Sequence, residues 1–207
     1  MKTVLVDIGN VLAYCRPERV AAQVAEMFGC ERQAVFAALF DRVRKRKLDR
    51  GTVSLEEYGC SVAAALGKEL HKQWQFKQAW LSMFDPNPLR PEARAFRAIL
   101  RILECPTALA SNTDPWHWEI LRRVPLITSL GTPCLSFELG AVKPEPEFYK
   151  RAAVELGVRP EDCLLVDDLA KNCEGARKVG MSALRYPQSE DVFYDWCVFT
   201  LAPAVRG

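Results

Sequence analysis

Short apolar runs recur along the chain, and stretches with helical periodicity separate them. Continuously apolar runs such as TVLVD, TALAS and CLLVDD are typical of strands that are covered on both faces of a parallel sheet. The alternation of such strands with amphipathic helices predicts an α/β fold, a Rossmann-like, doubly wound parallel sheet with helices on both faces. The predicted strands are TVLVD from Thr3, TALAS from Thr107, CLSFEL from Cys134, CLLVDD from Cys163 and SALRY from Ser182, and the predicted helices span residues 91–104, 146–156 and 170–179.

One long interval breaks the alternation, because residues 14–84 show helical periodicity and no convincing strand. We therefore predict a helical domain inserted after the first strand. The proline-rich stretch DPNPLRPEA marks the return of the chain to the main domain. The predicted division is a main domain of residues 1–13 and 86–207 and an insertion of residues 14–85. The helical patterns of the insertion are ERVAAQVAEMFG, RQAVFAALFDRVRK, SLEEYGCSVAAALG and HKQWQFKQAWLSMF.

Composition limits the class of ligand. The 207 residues, 49% of them hydrophobic, are enough for one large domain or for one domain with an insertion. The net charge of +2, from 28 basic and 26 acidic residues, argues against nucleic acid or an anionic membrane as the main partner and favours a small ligand. The sequence shows neither a secretory signal nor a membrane-spanning run, so we expect a cytoplasmic protein. It does not predict an oligomeric state.

The eight cysteines do not predict a metal or disulfide framework. Their spacings contain no CxxC pair, and His71 and His117 are the two histidines, so a zinc site would lack ligands. We interpret most of the cysteines as small buried hydrophobic residues in a reducing compartment.

Polar residues follow four of the predicted strands at their carboxyl ends, where open α/β sheets bind their ligands. A serine at such a place is usually a helix cap, and a Lys-Pro pair is usually a turn. Two adjacent aspartates after an apolar strand repel each other unless a cation or a helix start compensates, and a helix cap explains only one of them. The residues are Asp7 in VDIGNVL, Ser111 and Asn112 in LASNTD, Lys143 in GAVKPEPEFY, and Asp167 and Asp168 in LLVDDLAKN.

Taken in order, the motifs DIGNV, SN, KP and DDLAKN resemble those of the haloacid dehalogenase-like hydrolase superfamily, and the resemblance covers nearly the whole chain. The helical insertion is similar to the cap that this family places after its first motif. Bacterial sugar-phosphate phosphatases with a DxGNV first motif look similar. The resemblance therefore implies a phosphatase, a phosphoric monoester hydrolase acting on a small phosphorylated metabolite, with a hydrolase core and a helical cap.

The resemblance also implies roles for the first and last motifs. Asp7 would attack phosphorus and form an aspartyl-phosphate, which divides the displacement into two easier steps. The cofactor would be Mg²⁺, a hard cation that prefers oxygen ligands. Its ligands would be the Asp7 carboxylate, the main-chain carbonyl of Gly9, and Asp167, Asp168 or both.

The remaining motif residues would bind the phosphoryl group. Ser111 and the amides around Asn112 would donate hydrogen bonds to the phosphoryl oxygens, and Lys143 would neutralise charge on the nucleophile and the phosphate. By the same resemblance Asn10 would contribute to substrate binding, and Asn172 would orient Lys143 without touching the substrate.

Gly9 departs from the pattern of the family. Most of its phosphatases carry there an aspartate that protonates the leaving group, which contributes about 10²- to 10⁴-fold to the rate. A working phosphatase would compensate through a good leaving group, such as an anomeric phosphate, or through another proton carrier. His117 in SNTDPWH is the candidate carrier; the alternative is an ordinary surface or hydrogen-bonded histidine.

Other readings of Gly9 remain open. A dehalogenase also lacks the second aspartate but needs no metal, and the Asp167–Asp168 pair argues against it. A phosphonoacetaldehyde hydrolase would need a cap lysine for a Schiff base, for which Lys45 or Lys47 are available, although RVRKRK is more simply a solvated helix face. The third reading is a catalytically weak protein that binds a phosphorylated ligand or a protein partner.

Overall fold

Five parallel strands form a sheet in the computed structural model, which describes residues 1–84, 89–187 and 189–207. The strands are β1 (Thr3–Val6), β2 (Thr107–Ser111), β3 (Thr132–Leu135), β4 (Cys163–Asp167) and β5 (Ser182–Arg185). Their order in the sheet is β3-β2-β1-β4-β5, so β1 lies in the centre between β2 and β4. The register pairs Val4 with Thr107 on one side and with Leu164 on the other. The predicted fold class is confirmed.

Six helices lie between β1 and β2 in the described part of the chain, and we call the first five the inserted helices. They are α1 (Pro17–Phe28), α2 (Arg32–Leu39), α3 (Arg42–Asp49), α4 (Leu55–Ala65) and α5 (Gln73–Leu81). No strand occurs between residues 14 and 84, as the periodicity predicts. The division into residues 1–13 with 86–207 and residues 14–85 stays a prediction, because its second boundary falls within residues 85–88, outside the described part of the chain.

The other helices follow the strands. They are α6 (Ala93–Ile102), α7 (Pro115–Leu121), α8 (Pro125–Thr128), α9 (Ser136–Leu139), α10 (Pro146–Glu155), α11 (Ala170–Arg177), α12 (Phe193–Trp196) and α13 (Ala202–Arg206), with a π-helical turn at Cys197–Leu201. The sequence patterns predicted α6, α10 and α11 but missed the short helices and the C-terminal ones. Within the described residues, no helix is both long enough and apolar enough to span a membrane.

The two faces of the sheet are buried by different elements. Side chains alternate along a strand, so Leu5 and Leu165 contribute to the face that α10 and α11 cover, together with Phe148. Val4 and Val166 contribute to the opposite cluster, which extends into α6 and the C-terminal helices. That second cluster also contains buried residues of the inserted helices, namely Val20, Leu39, Tyr58, Val62 and Trp80. The inserted helices therefore share a continuous apolar core with one face of the sheet.

Two predicted elements differ from the structure. CLSFEL is not one strand, because β3 ends at Leu135 and α9 begins at Ser136, whose hydroxyl accepts from the amide of Thr113 at 2.9 Å and donates to its carbonyl at 3.0 Å. RQAVFAALFDRVRK is not one helix either. It divides before Asp41, whose carboxylate caps α3 by accepting from the amide of Arg44 at 2.9 Å.

Candidate active site

The polar residues at the strand ends meet around one cavity of about 410 Å³. Because β1 lies between β2 and β4 in parallel register, Asp7, Ser111 and Asp167 reach the same edge of the sheet. Lys143, in the segment between α9 and α10, reaches the same point. The residues of the predicted site that line the cavity are Asp7, Gly9, Asn10, Ser111, Asn112, His117, Lys143, Asp168 and Asn172.

The ammonium group of Lys143 lies between two carboxylates. Its Nζ is 2.9 Å from Oδ1 of Asp7 and 2.6 Å from Oδ2 of Asp167, and it also donates to the carbonyl of Ala110 at 2.7 Å. The side chain is 1% exposed, which disfavours its charge. The charges of Asp167 and Asp7 outweigh this burial and raise the pKa of Lys143 above its ordinary value. Lys143 is therefore a fixed positive charge beside the predicted nucleophile.

Asn112 holds the backbone of Lys143 from both sides. Its Nδ2 donates to the carbonyl of Lys143 at 2.9 Å, and its Oδ1 accepts from the amide of Lys143 at 2.8 Å. The Lys143–Pro144 peptide bond that follows is cis. The side-chain amide of Asn112 therefore positions Lys143. The hydroxyl of Ser111 and the backbone around Asn112 are then the groups available to a phosphoryl group.

Asp167 and Asp168 have different surroundings although they are adjacent. Asp167 is fully buried and accepts hydrogen bonds from the amide of Leu169 at 2.9 Å and from Nδ2 of Asn172 at 2.9 and 3.1 Å, in addition to Lys143. Asp168 lines the cavity, and the hydrogen bond that it accepts from Nδ2 of Asn10 is long, at 3.4 Å. Asp167 is saturated by the protein, whereas Asp168 retains acceptor capacity toward the cavity.

The three carboxylates form a group that suits a hard cation. Oxygen atoms of Asp7, Asp167 and Asp168 lie within 4.8 Å of one another, and all three residues are buried. Burial raises the pKa of Asp7 to about 7, despite the opposing effect of Lys143. Burial and the charge of Asp167 also raise the pKa of Asp168. One ammonium does not balance three carboxylates, so a divalent cation with oxygen ligands fits this site.

Space is available at Gly9 for the side chain that it lacks. A Cβ atom built there would meet Cβ of Cys15 at 4.0 Å, an ordinary van der Waals distance, and the φ of Gly9 is not in the left-handed region. Asn10, next in the chain, does adopt a left-handed φ of 55°, which asparagine tolerates. Its Oδ1 accepts from the amide of Cys15 at 3.2 Å and so closes the turn after β1. Neither backbone nor packing requires glycine at position 9.

His117 is buried, and hydrogen bonds occupy both of its ring nitrogens. Nδ1 lies 2.8 Å from Oδ2 of Asp114, and Nε2 lies 2.9 Å from the carbonyl of Trp80 in α5. The ring stacks on Trp80 with centroids 5.1 Å apart. The indole N–H of Trp80 donates to Asp114 at 3.0 Å. His117 borders the cavity but joins the inserted helices to the main domain, and its role as a proton carrier stays a prediction.

The inserted helices supply a wall of the cavity, of which the sequence indicates Lys45, as one of two candidate Schiff-base lysines, but none of the other residues. Lys45 and Asp49 of α3 line it, whereas the charges of RVRKRK predict a solvated helix face. That interpretation holds for Arg42 and Lys47, which are exposed, but not for Lys45. The four-residue spacing of Lys45 and Asp49 places both on one helix face, and this spacing is the sequence signal that could indicate the wall. The apolar part of this wall consists of Phe36, Phe40, Met83 and Phe84.

Comparison with known proteins identifies the family of the chain. A family model described as haloacid dehalogenase-like hydrolase matches residues 1–180. D-ribitol-5-phosphate phosphatase of Bacteroides thetaiotaomicron is 28% identical over 157 residues, which are 70% of this chain and 72% of that protein. Flavin mononucleotide hydrolase 1 of Arabidopsis thaliana is 32% identical over 85 residues, which are 41% of this chain and only 35% of that protein.

Solved structures show the same fold. A crystal structure of an enzyme of the same family from Bacteroides thetaiotaomicron superimposes with a TM-score of 0.77 at 22% identity, covering 95% of this chain and 98% of that chain. The wild-type form of that enzyme in complex with magnesium and inorganic phosphate has a TM-score of 0.72 at 21% identity, covering 95% of this chain and 99% of the other.

Proposed function

The chain belongs to the haloacid dehalogenase-like hydrolase family as a phosphatase, and on this basis we propose that it hydrolyses a small phosphorylated metabolite, such as a sugar phosphate, with Mg²⁺ through an aspartyl-phosphate intermediate. The observation that supports this most strongly is the contact of Lys143 with both Asp7 and Asp167 beside a third carboxylate, Asp168. Such a group of charges can hold a cation and a phosphoryl group together at the nucleophile.

Asp7 performs the covalent step. Its carboxylate oxygen forms a bond to phosphorus while the bond from phosphorus to the leaving oxygen breaks, and the leaving alkoxide takes a proton from solvent water, since position 9 carries no carboxyl group. Water then attacks the aspartyl-phosphate, which releases inorganic phosphate and restores the Asp7 carboxylate. Lys143 stays protonated throughout and offsets the charge that develops on the phosphoryl oxygens. The hydroxyl of Ser111 and the amides near Asn112 orient those oxygens.

We assign different tasks to the two adjacent aspartates. Asp168, which faces the cavity and has one weak hydrogen bond, would hold Mg²⁺ together with Asp7 and the carbonyl of Gly9. Bound there, the cation would withdraw charge from the phosphoryl group. Asp167, whose oxygens already accept from Asn172, Leu169 and Lys143, positions Lys143 instead. Asn172 therefore orients Lys143 indirectly, through Asp167.

The alternative readings have less support. A Schiff base on Lys45 requires a neutral amine, but the charge of Asp49 outweighs burial and raises the pKa of Lys45 above its ordinary value. The ammonium form has no free electron pair for attack. A metal-independent dehalogenase does not account for the buried carboxylate group of Asp7, Asp167 and Asp168.

Turnover tests the proposal directly. Purified protein is incubated with p-nitrophenyl phosphate and with a panel of phosphorylated metabolites, in Mg²⁺ and in excess chelator, and released phosphate is measured. We expect Mg²⁺-dependent release from at least one small metabolite. Tight binding of a phosphorylated ligand without release of phosphate from any substrate would support the binding protein instead.

A further inference from the structure

Helix α3 presents charged residues on two different faces, two arginines on one and a lysine with an aspartate on the other. Arg46 and Arg50 lie four residues apart and both pair with Glu145, at 3.5 and 2.6 Å. Glu145 follows the Lys143–Pro144 bond, so this face holds α3 against the main domain at the catalytic segment. Lys45 and Asp49 also lie four residues apart, form an ion pair with each other, and line the catalytic cavity.

The end of α3 lies directly against the main domain. Gly51, with a φ of 68°, follows the helix, and a Cβ atom built on it would lie 2.9 Å from the carbonyl oxygen of Phe137 in α9. The glycine permits this close approach. Together with the pairing of Arg46 and Arg50 with Glu145, the contact fixes the rotation of α3 and turns Lys45 and Asp49 toward the cavity.

The Lys45–Asp49 pair is difficult to explain as a stabilising element. The side chains are only 21% and 10% exposed, and a buried ion pair stabilises a protein little relative to apolar residues of the same size. Asp49 is also the last residue of α3, where its charge opposes the helix dipole. Leu48, which is buried beside it, already anchors the helix to the core. A pair that adds little to folding and borders the catalytic cavity suggests a role in binding.

The chemistry of the pair indicates what it binds. Lys45 offers an N–H donor and Asp49 offers carboxylate acceptors, and adjacent hydroxyl groups match both because a hydroxyl donates and accepts. The ion pair is neutral overall, so it gives no net attraction to an anionic or a cationic leaving group. The neighbouring Phe36 and Phe40 offer apolar rings to the C–H faces of the same molecule.

We propose that Lys45 and Asp49 form a subsite for vicinal hydroxyl groups, and that the enzyme prefers phosphorylated polyols or sugars to phosphate esters with plain alkyl chains. This inference rests on the proposed phosphatase function and specifies its substrate class. The subsite acts on the leaving group and leaves the phosphoryl group to Lys143 and Ser111. Lys45 and Asp49 are thus specificity residues.

Inhibition of the wild-type enzyme tests the subsite without a variant. Phosphonates are not hydrolysed, because carbon replaces the leaving oxygen, so they act as inhibitors. A polyhydroxylated pentyl phosphonate and plain pentyl phosphonate share the same chain and differ only in their hydroxyl groups. We expect the hydroxylated compound to bind at least about tenfold more tightly, since a site built for hydroxyl groups discriminates strongly against analogues that lack them. Equal inhibition constants would overturn the proposal.

A double variant tests whether the preference for hydroxylated substrates arises from Lys45 and Asp49. Lys45→Met with Asp49→Leu removes both charges with little change in volume, and it should lower the ratio of kcat/KM for a pentitol phosphate over pentyl phosphate at least about tenfold. Lys47→Met, on the exposed face of the same helix, should leave this ratio unchanged. A folded double variant with the wild-type ratio would overturn the proposal, and if it does not fold the phosphonate comparison decides.

The same assays separate the two levels of inference. Failure of the wild-type protein to release phosphate from any ester in Mg²⁺, p-nitrophenyl phosphate included, would overturn the phosphatase function and the subsite with it. Turnover without preference for hydroxylated substrates would overturn the subsite alone.

Discussion

The ammonium nitrogen of Lys143 lies 2.9 Å from Oδ1 of Asp7, and both side chains are buried at the carboxyl edge of the sheet. Burial favours the neutral form of Asp7, whereas the charge of Lys143 favours the carboxylate that the proposed mechanism needs. The reactivity of Asp7 as the proposed nucleophile therefore depends on the groups that hold Lys143 in place.

Asp7→Asn should reduce kcat/KM for p-nitrophenyl phosphate by at least about 10³-fold, because it removes the nucleophilic oxygen with little change in shape. Circular dichroism should show an unchanged fold. Asp162→Asn, which alters an exposed carboxylate, is the matched control and should retain full activity. A folded Asp7→Asn protein that keeps more than about 1% of the activity, free of contaminating phosphatase, would contradict the covalent mechanism.

The affinity for Mg²⁺ should change with pH in the range where Asp7 titrates. Because the native pKa is raised to about 7, the metal-free protein loses stability as the pH rises from the ordinary carboxyl range through about 7. Mg²⁺ displaces the proton, so its apparent affinity should fall about tenfold per pH unit below that value. Thermal unfolding with and without Mg²⁺ measures this change in affinity. The pH range of 5.5 to 8.5 extends roughly 1.5 units to either side of the pKa. We expect a larger Mg²⁺-induced rise in Tm at the alkaline end.

Excess chelator should abolish turnover, and added Mg²⁺ should restore it. Full activity in chelator, or a rise in Tm that does not vary with pH, would count against the metal site at Asp7 and Asp168.

Asn172→Ala should lower activity about 10- to 100-fold, the usual effect of losing a group that orients a residue in direct contact with the reaction. The substitution removes the donor that contacts both oxygens of Asp167 at 2.9 and 3.1 Å, so Asp167 can rotate away from Lys143. We expect the loss mainly in kcat. Lys171→Ala, at the exposed neighbouring position, serves as the control. An equal loss in both variants would remove the positioning role from Asn172.

Gly9 predicts a strong dependence of rate on the leaving group. Across aryl and alkyl phosphates, log(kcat/KM) should fall steeply as the pKa of the leaving group rises, because no carboxylate at position 9 protonates it. Gly9→Asp should flatten this dependence, since a Cβ atom there meets no heavy atom closer than 4.0 Å. A nearly flat wild-type dependence, with chemistry rate-limiting, would mean that another group donates the proton, and His117 would be the first residue to replace.

Trp80→Phe should lower the free energy of unfolding by about 1–3 kcal/mol, because it leaves the buried carboxylate of Asp114 without one hydrogen bond. Burial alone would favour the neutral acid, but pairing with His117 lowers the pKa of Asp114, so this contribution is present at neutral pH and is lost as the pH falls below the ordinary carboxyl range. Urea unfolding measures the change.

Trp74→Phe is the matched control, since Trp74 is 65% exposed, and it should change stability by less than about 0.5 kcal/mol. Equal effects of the two substitutions would refute the contact as a link between α5 and the main domain.

The sequence by itself determined the strands and their polar ends. Four predicted strands begin at the residues where the structure begins them, Thr3, Thr107, Cys163 and Ser182, because an apolar run followed by a polar turn is a local signal. The edge at which Asp7, Ser111, Lys143 and the two aspartates meet follows from parallel strand order, which the α/β alternation predicts. The residues of the candidate site can therefore be predicted from the sequence alone.

Local patterns failed where a distant residue decides the backbone. Ser136 leaves the strand pattern of CLSFEL because its hydroxyl bonds to the backbone of Thr113, on another segment of the chain. The different surroundings of Asp167 and Asp168 likewise depend on Asn172 and Lys143, which donate hydrogen bonds to Asp167.

The tertiary structure alone decided what the inserted helices contribute. In RVRKRK all charges look equivalent, but Arg46 pairs with Glu145, Lys47 is exposed, and Lys45 faces the catalytic cavity. A helix distributes adjacent residues over different faces, and which face meets the cavity is set by the rotation of α3 against the main domain. That rotation is fixed by contacts with Glu145 and Phe137, which lie about 90 residues further along the chain, and no periodicity within α3 encodes such distant contacts.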